Sequence, residues 1–220
     1  QIEGPEAALA AIDKSGLDFL EPAHVEALEA RTRLLLELDR DDDALADLEK
    51  ARGRTKDSAR LLVLRATVRR ARGETELART DLEQALALDG KDVPALLELA
   101  SLEVEAGQKD RAVKHYAEAI PLESAAAKPE QPNQGKATLA LARLEIDAGD
   151  REAARKRLRA LLDENPRQGE AAWLILQTYA EGTDSGLDAA ARRDLALRAS
   201  VFFRSPAAVD YWKKLNASAP

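Results

Sequence analysis

Small and apolar positions recur along this chain with a fixed spacing. In "RARGETELARTDLEQALALDG" (70–90) and "VEAGQKDRAVKHYAEAIPLES" (104–124), Gly73 returns as Gly107, Ala78 as Ala112 and Ala85 as Ala119, each after 34 residues. One period earlier stand Ala44, Leu48 and Ala51, so that Leu48, Leu82 and Tyr116 share a position. Later in the chain "DAGDREAARKRLRALLDENP" fits once about eight extra residues are allowed, with Gly149, Ala154, Leu158 and Leu161 in register. Ahead of each turn, Ala66, Ala100 and Ala142 share one position and Leu28, Leu62 and Leu96 another. Between these points the apolar residues follow helical spacing, and nowhere does a strand-length alternation occur. The pattern predicts an all-α chain of helix pairs.

The physical reason for the period is close approach. Two antiparallel helices joined by a short turn pack at the distance their contact side chains permit, and only a small residue fits where the axes come nearest. Glycine in the turn supplies the positive φ that ends the first helix. An acidic residue just after it, as in Glu74 and Asp150, suits the start of the second. One pair leaves an apolar face uncovered, so pairs must stack.

Spacing, turn glycine and paired small residues together resemble the tetratricopeptide repeat family. The resemblance covers Val25 to Gln168 in four repeats, 25–58, 59–92, 93–126 and 135–168, with Pro166 where that family commonly ends a repeat. It departs from the family pattern in three ways. Leucine, or Thr138 in the fourth copy, replaces the large aromatic of the first helix; Arg31 and Arg65 stand where leucine is usual; Asp39 replaces the turn glycine of the first copy. The arginines are expected either to lie flat with buried stems or to mark a slight rotation of their helices. By this resemblance the fold is a right-handed α-solenoid of stacked antiparallel helix pairs.

The ends and the interruption follow from the same register. Residues 1–24 read as a capping helix, with Pro5 at its first position, or as the remnant of a preceding repeat. "PLESAAAKPEQPNQG" is expected to be an inserted loop at about 121–134, because Pro121, Pro129 and Pro132 oppose one continuous helix. It reads either as a neutral surface insertion or as a contact at the edge of the groove. Residues 169–204 form a degenerate fifth repeat. The segment 205–220 forms a capping helix with Ser205 as N-cap, on which Tyr211 and Trp212 cover the last apolar face.

The resemblance further implies that the first helices line a groove for a partner segment. Glu29, Arg33 and Leu36 of the first repeat fall on its lining positions, with Arg60, Val63, Thr67 and Arg70 of the second. Leu97, Ser101 and Val104 follow in the third, then Lys136, Leu139, Arg143 and Ile146 in the fourth. Val63, Leu97, Val104, Leu139 and Ile146 make an apolar strip, and Arg33, Arg60, Arg70, Lys136 and Arg143 place positive charge beside it. Such a strip suits a protein partner with apolar anchors and acidic flanks. Arg33 and Leu64 occupy the positions where family members that clamp chaperone tails carry asparagine, which argues against that subtype.

Composition narrows the remaining chemistry. The 220 residues carry a net charge of −7 with acidic and basic side chains interleaved, and aromatics make up 4%. That argues against general affinity for nucleic acid, and no aromatic residues interleave the basic stretches to stack on bases. No apolar run is long enough to span a membrane. Cysteine is absent, removing disulfides and thiolate chemistry. Methionine is absent too and the chain opens at Gln1, so a removed leader, a tag or a further domain is expected upstream. His24 and His115 are far apart in the register. Asp39, Asp41 and Asp43 begin like a calcium loop, but Ala44 and Lys50 stand where glycine and glutamate are required. No catalytic, cofactor or metal motif is found.

These readings lead to a non-catalytic protein-interaction scaffold. Alanine and arginine richness points to a bacterial chain, and the family's bacterial members to envelope assembly or secretion, hence to a periplasmic or envelope-associated location over a cytoplasmic one. The alternative is a regulatory or substrate-presenting module of a larger enzyme. Self-association through the terminal helix is a further expectation.

Overall fold

The structure, a computed structural model, describes residues 4–18, 20–54, 58–125, 135–179 and 187–217. The described residues contain helices and turns and no strand. They group into two compact units, Gln1–Gln108 and Lys109–Pro220.

Unit 1 runs α1 (Pro5–Lys14), a 3-10 turn at Pro22–His24, α2 (Val25–Glu37), α3 (Asp41–Arg54), α4 (Ala59–Ala71), α5 (Thr75–Leu88) and α6 (Val93–Glu105). Start signals are local. Ser58 Oγ accepts from the Leu61 N–H at 3.3 Å and Asp92 Oδ1 from the Ala95 N–H at 2.8 Å, capping α4 and α6. Gly73 ends its helix pair's first member at φ 75°. Asp39, at the same register position, adopts φ 55°; aspartate is among the few side chains that enter this region at modest cost.

The period-34 residues are the contact points. Ala44, Ala78, Ala85, Ala95 and Ala100 are fully buried, and Leu28, Leu48, Leu82 and Leu96 almost so. Helix α4 shows why its sequence is apolar on more than one side. Leu61 and Val68 pack into one core with Leu28, Leu35 and Leu48, while Leu62 and Ala66 pack into the next with Ala78, Leu82 and Leu99. A helix inserted between two neighbours needs two apolar faces. Leu9 of α1 closes the first of these cores.

Unit 2 comprises α7 (Lys109–Ala125), α8 (Lys136–Asp147), α9 (Arg151–Glu164), α10 (Gly169–Thr178), α11 (Ala189–Arg198), a π-helical segment Ala199–Phe203 and α12 (Pro206–Ala217). Ala142, Ala154 and Leu158 are fully buried together with Ala171, Ala172 and Ile175. At the C-terminal end Leu176, Leu187 and Ala196 form a second core, with Trp173, Tyr211 and Trp212 against it; the Trp173 and Tyr211 rings meet edge to face at 5.9 Å. Ser205 Oγ accepts from the Ala208 N–H at 3.2 Å, starting α12.

One expectation needs correction. Helix α7 continues through Pro121 to Ala125, into the segment read as loop. Proline removes one N–H and crowds the preceding turn, but the added turn gains a partner. Glu123 Oε2 accepts from the Ala137 N–H at 3.0 Å, and so caps α8, whose own N-cap Gly135 has no side chain to do it. Residues 126–134, with Pro129 and Pro132, lie outside the described residues, as do residues 180–186 within the expected fifth repeat.

Candidate partner-binding face

Helices α2, α4 and α6 of unit 1 touch in succession and present one face, which the expected groove residues allow to be mapped. Leu97, Ser101 and Val104 are partly exposed along α6, and Thr67 and Arg70 are partly exposed on α4; Arg33 and Arg60 are exposed. Thr67 turns its hydroxyl onto the Val63 carbonyl at 3.0 Å, leaving its methyl group and the small Ser101 as a low point between larger side chains. Val63 is different. At 9% exposure it belongs to the core with Leu62 and Ala78 and offers a partner little surface.

In unit 2, Lys136 and Arg143 are exposed on α8 and Ile146 is partly exposed. Leu139 is 7% exposed and packs with Ala142, Leu158 and Leu162. Val63 and Leu139 share a register position with Leu97; the first two are pressed against the next helix of their own unit, whereas Leu97, on the last helix of unit 1, stays partly exposed.

The basic strip also changes character once neighbouring helices are in place. Arg60 of α4 bonds Glu29 of α2 at 2.6 Å, and Arg33 reaches the same carboxylate at 3.4 Å. Arg70 bonds Glu98 of α6 at 2.8 Å and also Glu105. Partial burial alone would push the Arg70 guanidinium down, but Glu98 and Glu105 outweigh it and hold it above its ordinary value. In unit 2 Arg143 of α8 bonds Glu170 of α10 at 2.6 Å. Arg60, Arg70 and Arg143 are therefore cross-links between successive first helices, and Arg33 is matched to a carboxylate on its own helix.

Behind this face lies a polar layer that the sequence only hinted at. Arg31 and Arg65 do lie inside the helix pairs. Arg65, 5% exposed, grips Asp81, 1% exposed, through Nε at 2.9 Å and Nη2 at 2.6 Å. Arg69 donates to the same carboxylate at 2.7 Å, and Glu49 accepts from Arg65 at 2.5 Å. Arg31 makes the equivalent bond to Asp47 at 2.8 Å and another to Asp13 of α1. Both pairs join residues 16 apart, one period removed from each other. In unit 2 the positions of Arg69 and Asp81 are held by Glu145 and Arg157, bonded at 2.7 Å: the same bridge with its charges exchanged. Asp47 and Asp81 carried a visible signal, since each is an aspartate recurring at the period directly before a register leucine, Leu48 and Leu82.

At the acidic turn after α2, Arg40 pairs with Asp43 within the turn, and Asp42 pairs with Arg72 at the end of α4. Among the described residues no group of three or more histidine, aspartate or glutamate side chains is placed to hold a metal ion, and no helix is long and apolar enough to cross a membrane.

Antiparallel pairs with buried alanines on a 34-residue period, a glycine turn and a lined first-helix face define a helical repeat protein of the kind that holds other proteins. The tetratricopeptide repeat sequence model matches residues 63–132 and 139–208, and the chain belongs to the tetratricopeptide repeat family. The second match runs across α10 and α11. No curated protein sequence matches the chain. Among solved structures, yeast Tom70 is similar with a TM-score of 0.78 at 16% identity, over 99% of this chain and 44% of Tom70. The thermophilic protein TTC0263 of Thermus thermophilus is similar with a TM-score of 0.60 at 20% identity, over 79% of this chain and 90% of TTC0263. YrrB, a repeat protein of this family with an unusual peptide-binding site, has a TM-score of 0.55 at 16% identity, over 96% of this chain and all (100%) of YrrB. These neighbours share the all-α solenoid fold; membership of the tetratricopeptide repeat family supports a protein-interaction scaffold.

Proposed function

We propose that the chain is a non-catalytic scaffold whose first-helix faces hold a segment of another protein. The observation that carries this reading is the row Leu97, Ser101 and Val104, partly exposed on α6 beside Thr67 of α4. Apolar side chains flanking small ones give a partner's side chains anchors and its backbone room to approach. In unit 2, Lys136, Arg143 and Ile146 offer a smaller surface of the same kind. The peptide-binding site of YrrB supports a peptide as the occupant. Acidic flanks on that peptide, suggested by the arginines alone, lose their rationale now that Glu29, Glu98, Glu105 and Glu170 neutralise them.

The test is affinity capture with the wild-type chain and with Leu97→Ser/Val104→Ser, which removes both anchors without altering charge. Captured protein should fall at least about tenfold, the scale of two lost apolar contacts of about 1 kcal/mol each, while helical circular dichroism is retained. Undiminished capture by the folded variant would place the partner elsewhere. Alanine and arginine richness supports a bacterial setting and the family's bacterial members an envelope-associated one, and fractionation of source cells tests it. For self-association through α12, light scattering of wild type against Trp212→Ala is the direct measurement.

A further inference from the structure

The charges on the face of unit 1 bear on the partner's chemistry, given that this face is the partner site. Arg33, Arg60 and Arg70 are outnumbered there by Glu26, Glu29, Glu37, Glu98 and Glu105. Each arginine already has a carboxylate on its own or the neighbouring first helix. The carboxylates are less fully engaged. Glu26 keeps 85% of its side chain in solvent and lies 4.0 Å from Arg60; Glu37 is exposed in the last turn of α2.

An acidic segment arriving here would have to exchange one carboxylate for another on Arg60 or Arg70. It would gain little, and the displaced glutamate would stay opposite the incoming charge, which is destabilising. A basic segment needs no such exchange. Its cations meet Glu26 and Glu37 directly, and Glu98 and Glu105 each accept from Arg70 through one carboxylate oxygen. We infer that the polypeptide segment held by the first-helix face of unit 1 carries lysine or arginine beside its apolar anchors, with the anchors against Leu97 and Val104.

The experiment is selection of short random peptides displayed on phage against the full chain, followed by solution binding of the enriched peptides. Ser101→Trp, which fills the low point of the face without changing charge, sorts face binders from others; Leu97→Ser serves the same end should the tryptophan variant fail to fold. Peptides that weaken at least about tenfold on Ser101→Trp should carry net positive charge. They should also weaken as salt is raised through the range where the screening length falls to about 10 Å and below. Glu26→Gln/Glu37→Gln should reduce their affinity several-fold. Face-binding peptides that are acidic or uncharged overturn the inference while leaving the face as the partner site. Peptides indifferent to both blocking variants, or no enrichment at all, overturn the site and the inference together.

Discussion

Replacing Arg65 with methionine keeps the helix-forming stem and its packing but strips Asp81 of two of the three guanidinium bonds described for it. Asp81 is 1% exposed, so water cannot replace them. Burial on its own would lower the Arg65 guanidinium, and its bonds to Asp81 and Glu49 more than reverse this, which identifies the pair as mutually dependent. Removing one member of a buried pair costs about 3–5 kcal/mol. The surviving Arg69 bond at 2.7 Å sets the expectation at the lower end, about 3 kcal/mol. With a urea slope of about 2–3 kcal/mol/M, the midpoint should fall by about 1–1.5 M. The double variant Arg65→Met/Asp81→Leu removes both buried charges, and Arg69, with 18% of its side chain exposed, can turn to solvent. It should recover to within about 1 kcal/mol of wild type, because a well-packed apolar replacement of a buried pair is often neutral. Urea titrations of Arg65→Met, Asp81→Leu and the double variant, followed by helical circular dichroism, supply all three numbers. A single variant costing under about 1 kcal/mol, or a double costing the sum of its singles, would refute the account of this layer.

Other substitutions probe separate features. Gly169→Ala places a Cβ 2.4 Å from the Phe203 nitrogen and 2.8 Å from the Phe202 carbonyl carbon; overpacking against backbone should cost about 1–3 kcal/mol in thermal melts read by tryptophan fluorescence. Gly107→Ala meets nothing within 4 Å but stands at φ 73°, so its loss of about 1–2 kcal/mol is purely conformational and should vanish for no side chain except, in part, asparagine. Burial holds the Glu123 carboxyl above its ordinary 4.5 despite the Ala137 and Lys136 N–H groups. A carboxyl raised on folding favours the folded state when protonated, and that contribution is lost as pH rises from about 4.5 through the raised value. The stability of Glu123→Gln relative to wild type should therefore increase over that interval, and paired denaturant midpoints at acidic and neutral pH check the sign.

Much of the architecture was legible because it depends on spacing within one helix or across one turn. Ala44, Ala78 and Ala154 announce where helices nearly touch, Gly73 and Gly107 where they reverse, Asp150 and Ser205 where they begin. These are short-range consequences of residue size and backbone freedom, and they repeat, so each copy corroborates the others. Arg31 and Arg65 stood out at the period too, as departures, but their partners could be chosen only once α3 and α5 lay against α2 and α4.

The candidate face was legible in position and not in character. Leu97, Ser101 and Val104 are partly exposed, whereas Val63 and Leu139, at the register position of Leu97, are covered by neighbouring helices, and Arg60, Arg70 and Arg143 are answered by Glu29, Glu98 and Glu170 from about 30 residues away. Register tells which side of a helix a residue is on. Whether that side meets solvent, carboxylate or leucine is set by the packing of the next helix, since the Coulomb and contact terms that decide it act over only a few ångströms between segments distant in the chain. The helix through Pro121 has the same origin: its last turn exists to deliver Glu123 to the start of α8, a bond across 14 residues that no local propensity contains.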